Sequence, residues 1–396
     1  MKKGIICFVI VLFVLSSPLM GDTLDIFGYF ESQAMGTYIQ NEFMMLYSNK
    51  LRVDLKSSLS DKVMFAANFD YITYHGQTSW NILDFLPSWV VYEVPFGMED
   101  FYVLPFENRH FLDNAYIKLS FKSFDLTLGK QQISLGTGYV WNPVDVFNVK
   151  EIFDPTYEQP GHNAFRLDVP LGSLYTFTAL LSPEDNWKNS AKLVQLKGHI
   201  AHFDYSLTAI EKVWRFHDYT QFDPVNMTFL EMPEKRQLLG ASTAGELFGF
   251  GVWAEYAYNW MERSEDFYEL VVGTDYTFNF QTYLMIEYYR NTLGKTAYTD
   301  YNLNDWMRLL ATEQKAISRD QVYVFIQHPV TDLLNAGLSA IYSLTDQSMA
   351  LVPTLSYSFS DNVEIFAYLN LNIGQEGKAF SKETGNGGLI RVRVYF

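Results

Sequence analysis

The chain has 396 residues, with 29 Lys and Arg against 45 Asp and Glu, and its net charge of −16 argues against a non-specific nucleic-acid binder. Its one cysteine, Cys7, sits in the first apolar segment, so the rest holds no disulfide framework, cysteine metal site or cysteine nucleophile. Aromatic residues reach 17%, heavy for a soluble domain but suited to a barrel with two interfacial girdles.

Met1, Lys2 and Lys3 form a short positive region, Gly4 to Leu15 is apolar, and Ser16 to Gly21 is small and turn-prone. This is the pattern of a secretory signal peptide over 1–21, too short for a membrane helix. Residues 22–396 then read as one domain, with no later window apolar enough to cross a bilayer as a helix.

Extended alternation begins at once. The first runs lie near 24–35, 42–57, 62–75, 111–122, 124–137, 162–169, 174–182 and 190–200. The rest lie near 203–213, 236–245, 248–261, 266–276, 281–290, 319–328, 332–344, 349–359, 363–374 and 387–396. That is about 18 strands, or about 16 if the weakest runs, 162–169 and 236–245, are not strands. Val63, Phe65, Ala67, Phe69 and Tyr71, for instance, alternate with Met64, Ala66, Asn68 and Asp70. Most runs hold about ten residues, enough for a tilted strand to cross a bilayer, whereas strands of soluble sheets hold about five or six. The connections alternate too. Short ones such as Ser60-Asp61, Ala201-His202 and Ser360-Asp361 separate long ones at 76–110, 138–161, 214–235, 291–318 and 375–386. Short periplasmic turns and long extracellular loops give this rhythm in an all-β, antiparallel, up-and-down transmembrane barrel.

The chain ends on Ile390, Val392, Val394 and Phe396 on one face of a strand, with Leu389, Arg391, Arg393 and Tyr395 on the other. This ending resembles the carboxy-terminal strand by which outer-membrane barrels are recognised for insertion. The resemblance implies the barrel-insertion machinery and outer-membrane lipid as partners.

The most specific stretch runs from Gly129-Lys130-Gln131-Gln132 to Trp141-Asn142-Pro143-Val144-Asp145-Val146-Phe147-Asn148. Apolar parity changes inside it, from Leu126 and Leu128 to Ile133 and Leu135, which predicts a β-bulge near Gly129–Gln132. Over about 124–172 the chain is similar to a family of single-chain porin-like outer-membrane proteins that pair a Gly-Lys/Arg-Gln strand with such a loop. Leu135 departs from it, standing where an aromatic is expected. The resemblance implies a barrel for small-solute passage or uptake, and marks Trp141, Asn142, Pro143, Asp145, Phe147 and Asn148 as a loop motif. A well-capped turn that touches no solute is the alternative.

On the inferred inward face, strands near the chain ends bring Arg52, Lys56, Lys118, Lys122, Lys130, Arg166, Arg391 and Arg393. Strands from the far side bring Glu255, Glu269, Asp275 and Glu287. Opposed basic and acidic walls across a lumen are the expectation, as pore-lining charges that set a field. The apolar loop 76–110 is expected to narrow the mouth or to form an extra hairpin, and 304–313 reads as a short capped helix.

Catalytic and metal signatures are poor. His199 and His202 fall on opposite strand faces, and the calcium-loop echo at Asp300, Asn302 and Asn304 has Asp305 where glycine is needed. The residues around Ser242 lack the spacing of a nucleophile elbow. The sequence therefore reads as a non-enzymatic, cofactor-free channel in the cell outer membrane for passive diffusion of small hydrophilic solutes. A substrate-specific uptake or export channel, for a polysaccharide or an apolar compound, stays open. So does a secreted β-rich glycan-binding protein.

Overall fold

The computed structural model describes residues 24–149 and 159–396, so the expected signal peptide lies outside the described residues. Period-2 alternation becomes one 18-stranded antiparallel sheet closed on itself. It starts with β1 (Asp25–Ile39), β2 (Glu42–Ser60) and β3 (Val63–Gly76). A small hairpin in the next loop, β4 (Ser79–Asn81) and β5 (Val103–Pro105), stands outside the barrel sheet. The wall continues through β6 (Arg109–Ser120), β7 (Asp125–Gln131), β8 (His162–Leu171), β9 (Tyr175–Ser182) and β10 (Ala191–Ile200). Next come β11 (Phe203–Asp223), β12 (Thr228–Leu247), β13 (Phe250–Met261), β14 (Phe267–Thr277) and β15 (Tyr283–Asn291). The last are β16 (Asp320–Pro329), β17 (Leu334–Ser343), β18 (Ser348–Ser360), β19 (Val363–Ile373) and β20 (Asn386–Tyr395). β1 pairs with β20 from Tyr29↔Tyr395 to Tyr38↔Asn386, which leaves the barrel no free edge.

The two faces separate by parity. Leu51, Ile117, Phe165, Leu207, Val272, Leu369 and Ile390 lie exposed on the outside, while Arg52, Glu255 and Arg391 are buried inside. Tight turns at one end match the short connections expected there. At the other end, Gln40 and Asn41 form the β1–β2 turn with φ of 46° and 67°, the left-handed pair that fits a hairpin's twist.

Three expectations change. The region 214–235 is not a loop. β11 and β12 run 21 and 20 residues, and their ladder continues to Asp223↔Thr228. Above the apolar band both faces of a strand meet polar surroundings, so alternation fades at Arg215, His217, Glu231 and Glu234 although the hydrogen bonds go on. The β-bulge is absent from 129–131, where β7 keeps register with both neighbours. The register shift falls on β6 instead, where Phe69 faces Leu112 while Asn68 faces Asn114. Lastly, β7 stops at Gln131 rather than 137, because Ile133 and Leu135 leave the wall and enter the lumen.

Loops at the open end interlock. Leu83, Leu86, Val90 and Tyr102 of the β3–β6 loop share one buried cluster with Tyr219, Tyr301, Leu303, Trp306, Met307, Ile317 and Ala379. The 76–110 segment is thus both a small hairpin and a cover across the mouth. The short helix forms at Leu303–Leu310, with Asn302 and Asp305 in a reciprocal capping box. Asn304 donates to Asp218 and Asn302 caps the helix, so two side chains of the calcium-loop echo are committed to docking and capping.

Leu369→Arg, near the middle of β19 on the outward face, is expected to destabilise the bilayer-inserted protein by about 2–4 kcal/mol. Urea unfolding in liposomes checks this; a cost near zero would mean that the face does not meet hydrocarbon.

Candidate functional site

The site is built by the chain that leaves β7. Residues 132–148 fold inward and lie against the inner face of β8–β17. Ile133, Leu135, Val144 and Phe147 pack with Leu180, Leu193, Ile210, Leu238 and Ala257, which are the inward residues of successive wall strands. Val140 and Trp141 pack with Trp253, Val271, Met285, Tyr289 and Tyr323. Trp141 stacks on Tyr289 with centroids 4.9 Å apart and planes 7° from parallel.

A loop inside a barrel must satisfy its amides without a strand partner, and two wall carboxylates do this. Glu287, fully buried on β15, accepts from the backbone N–H of Tyr139 at 2.7 Å, Val140 at 2.9 Å and Trp141 at 3.0 Å. Trp253 Nε1 donates to the same carboxylate at 2.7 Å. Glu255 on β13 accepts from Thr137 N and Val144 N, each at 2.6 Å, and from Gly138 N at 3.3 Å. Bonds to an ionised carboxylate are each about twice as strong as neutral ones. Two glycines permit the close approach. Gly136 has φ of 83°, and a Cβ there would sit 2.4 Å from Glu255 Oε2. A Cβ at Gly240 would meet Val144 Cγ2 at 2.6 Å.

The motif residues hold the loop's own shape. Asp145 accepts from Phe147 N at 2.9 Å and Asn148 N at 3.0 Å, and Asn148 Nδ2 reaches Ile133 O at 2.6 Å. Asn142 Nδ2 donates to Leu135 O at 3.1 Å, and Pro143 lies beside it in the turn. Two lysines clamp the outer side. Lys212 Nζ donates to Val146 O at 2.6 Å, and Lys315 Nζ to Asn142 O at 2.6 Å.

The expected wall charges divide accordingly. Glu255 and Glu287 face loop amides rather than an open lumen. Glu269 accepts from Tyr289 Oη at 2.6 Å and pairs with Arg236 at 3.3 Å and Lys315 at 3.2 Å. Asp275 accepts from Tyr283 Oη at 2.8 Å. Opposite, Arg391 and Arg393 share Glu31 at 3.5 and 2.7 Å. Arg52 lies among Asp54, Asp70 and Asp113 at 3.0, 3.7 and 3.5 Å. Lys118 pairs with Asp125 at 2.8 Å, Arg166 with Asp168 at 2.9 Å, and Lys56 is exposed near the turn end of β2. Two residues fall off the inner wall. Lys122 is exposed in the β6–β7 turn. Lys130 shares strand parity with the outward-facing Leu126 and Leu128, and its ammonium donates to Leu112 O at 2.7 Å. Opposed charges exist, but most are held by a short-range partner, whether an ion pair, a hydroxyl or loop amides, rather than facing one another across the lumen.

Among solved structures the chain is similar to OccAB1 of Acinetobacter baumannii, with 10% identity, TM-score 0.60, and 94% of this chain and 96% of that one covered. OccAB4 of the same organism gives 11% identity and TM-score 0.55 over 96% of this chain and 99% of that one. The shared fold is a porin-like β-barrel. OmpT, an outer membrane protein of Vibrio cholerae, is similar at 11% identity and TM-score 0.48, covering 94% of this chain and 99% of that one. No protein-family model and no curated protein matches the sequence.

Glu287→Ala leaves three loop amides and the Trp253 indole without their acceptor, at about 1–3 kcal/mol for each orphaned group. Chymotrypsin in detergent is expected to cut this variant within 139–147 while sparing the parent. Equal resistance would mean that apolar packing alone holds the loop.

Proposed function

We propose that the protein is an outer-membrane channel that passes small hydrophilic solutes down their gradient, with the inward loop 132–148 setting the width of the route. The observation that carries this reading is that loop: a barrel wall that spends two buried carboxylates and much of its inner apolar surface on holding one segment inside gains a fixed constriction. Loops at the other strand ends would face the cell exterior and the tight turns the periplasm, as in barrels of this architecture. Inward Arg391, Arg393, Arg52, Lys118 and Arg166 would keep the remaining lumen wet, each beside a carboxylate that limits its reach into solution.

A substrate-restricted channel, the second reading, is favoured over a wide general pore by one feature. The β3–β6 cover is tied across the mouth, with Leu303 N donating to Glu93 at 2.9 Å and Phe101 packed on Phe222 at 4.1 Å. The route then narrows twice, at the mouth and at the inward loop.

Planar-bilayer recording separates the two. Small steps that grow when residues 82–102 are shortened fit the restricted channel, large steps from the full chain fit the general pore, and no conductance from either sinks both. Replacing Arg391 and Arg393 together with Gln leaves Glu31 without its cations. The expected outcome is a reversal potential shifted toward cation preference; an unshifted value would remove these residues from the route.

A further inference from the structure

The loop end of the barrel displays apolar side chains that neither hydrocarbon nor the buried loop cluster covers. On the segment between β3 and β6, Phe96 is fully exposed and Tyr92 is 89% exposed. Phe96 stands at the apex of a turn in which Met98 N–H donates to Pro95 O at 3.1 Å and Gly97 takes φ of 79°. A Cβ at Gly97 would meet nothing within 4 Å, so the turn projects into open space. The tip of the β11–β12 hairpin exposes Val225 at 86% and Met227 at 67%. Met227 holds φ of 53°, where glycine or asparagine is the low-cost choice. The two segments meet where Phe101 packs on Phe222 at 4.1 Å. Phe222↔Phe229 is the ladder pair next to the hairpin's last, Asp223↔Thr228, so the contact lies at the height of the tip.

Charge on these two segments has one sign. Residues 78–108 hold Asp84, Glu93, Glu99, Asp100 and Glu107 and no Lys or Arg. Residues 216–234 hold Asp218, Asp223, Glu231 and Glu234 and again no Lys or Arg. Lower on the hairpin Glu231 pairs with Arg215, and Glu234 accepts from Arg263 N. Among the described residues no ion pair engages Glu99, Asp100 or Asp223. Exposed aromatic and methionine side chains beside free carboxylates make a contact surface with an acidic rim. A second copy of this chain would bring the same charge to the patch, and an anionic lipid surface would be repelled in the same way.

We infer that this patch docks a cationic amphipathic peptide segment. Its apolar face covers Phe96, Tyr92 and the hairpin tip, and its Lys or Arg side chains meet Glu99, Asp100 and Asp223. The inference goes beyond solute passage and takes from the channel reading only that this end faces the cell exterior. The carboxylates steer the encounter, and the rings, desolvated on contact, set how long it lasts. The docked segment lies on top of the mouth cover, outside the lumen.

Two helical peptides of equal positive charge separate contact from charge: one with a lysine and a leucine face, the other with serine in place of leucine. Fluorescence anisotropy uses the protein in phosphatidylcholine nanodiscs, with protein-free nanodiscs as the blank. Saturable binding of the leucine peptide is expected, and about tenfold weaker binding of the serine peptide. Tyr92→Ser with Phe96→Ser is expected to weaken the leucine peptide about tenfold. Glu99→Gln with Asp100→Asn is expected to weaken it and to flatten its salt dependence. Glu246→Gln with Asp361→Asn removes the same charge at the tight-turn end and is expected to bind as the parent does. All these positions are exposed, and heat-modifiable gel mobility shows that each variant is folded. No binding above the blank, equal affinity for the two peptides, or unchanged affinity in either patch variant would overturn the docking site. So would a concentration-dependent dimer of the parent in sedimentation that Phe96→Ser abolishes, which gives the patch to a second copy. Peptide binding by a protein that conducts nothing removes the channel and leaves the site; conductance without peptide binding does the reverse.

Discussion

Everything inside this barrel depends on two carboxylates that accept backbone N–H groups. Strands satisfy their amides with neighbouring strands, and a barrel does so all the way round. A segment that leaves the wall forfeits that partner. Glu255 and Glu287 restore it with six backbone hydrogen bonds to residues 137–144, donated to charged acceptors and shielded from water. The arrangement also settles a second problem, since two buried carboxylates without cations at hand would be costly. Here the amide dipoles act as their counter-charge, as backbone N–H groups do wherever they converge on an anion.

That choice reorganises the electrostatics of the lumen. With the acidic wall turned toward the loop, the basic wall has no distant partner and is compensated locally by Glu31, Asp54, Asp70, Asp113, Asp125 and Asp168. Short pairs hold side chains against the wall and stiffen it, but project little field. At the corner where the inward loop is clamped, Arg236 and Lys315 share Glu269 in the same way.

The barrel was legible because a membrane strand has a long period-2 pattern. All 18 runs became strands, including 162–169 and 236–245, the two weakest. The helix at Leu303–Leu310 was legible from its cap. What failed shares a cause: interactions without a sequence period. A carboxylate that accepts loop amides reads the same as one that faces water, so Glu255 and Glu287 were placed on an open wall. Lys212 and Arg236 sit at the ends of the alternating runs 203–213 and 236–245, and Lys315 lies in a loop with no register at all. Lys130 would be turned relative to the wall by a bulge at 129–132, and without that bulge its parity with Leu126 and Leu128 keeps it outside.

One signal for the docked loop was present in the sequence and carries a general point. A strand between lipid and water alternates, but one between lipid and a packed loop need not, since both faces are dry. Leu180-Leu181, Leu193-Val194, Ala209-Ile210 and Leu238-Leu239 each place apolar residues on both faces, and Leu180, Leu193, Ile210 and Leu238 are the residues that Ile133, Leu135, Val144 and Phe147 cover. By contrast, β1, β2 and β20 keep charged inner faces, with Glu31, Arg52, Asp54 and Arg391 in place of leucines. Lapses in alternation, clustered on adjacent strands, thus mark where a lumen is filled, and their position round the barrel says which wall the constriction leans on.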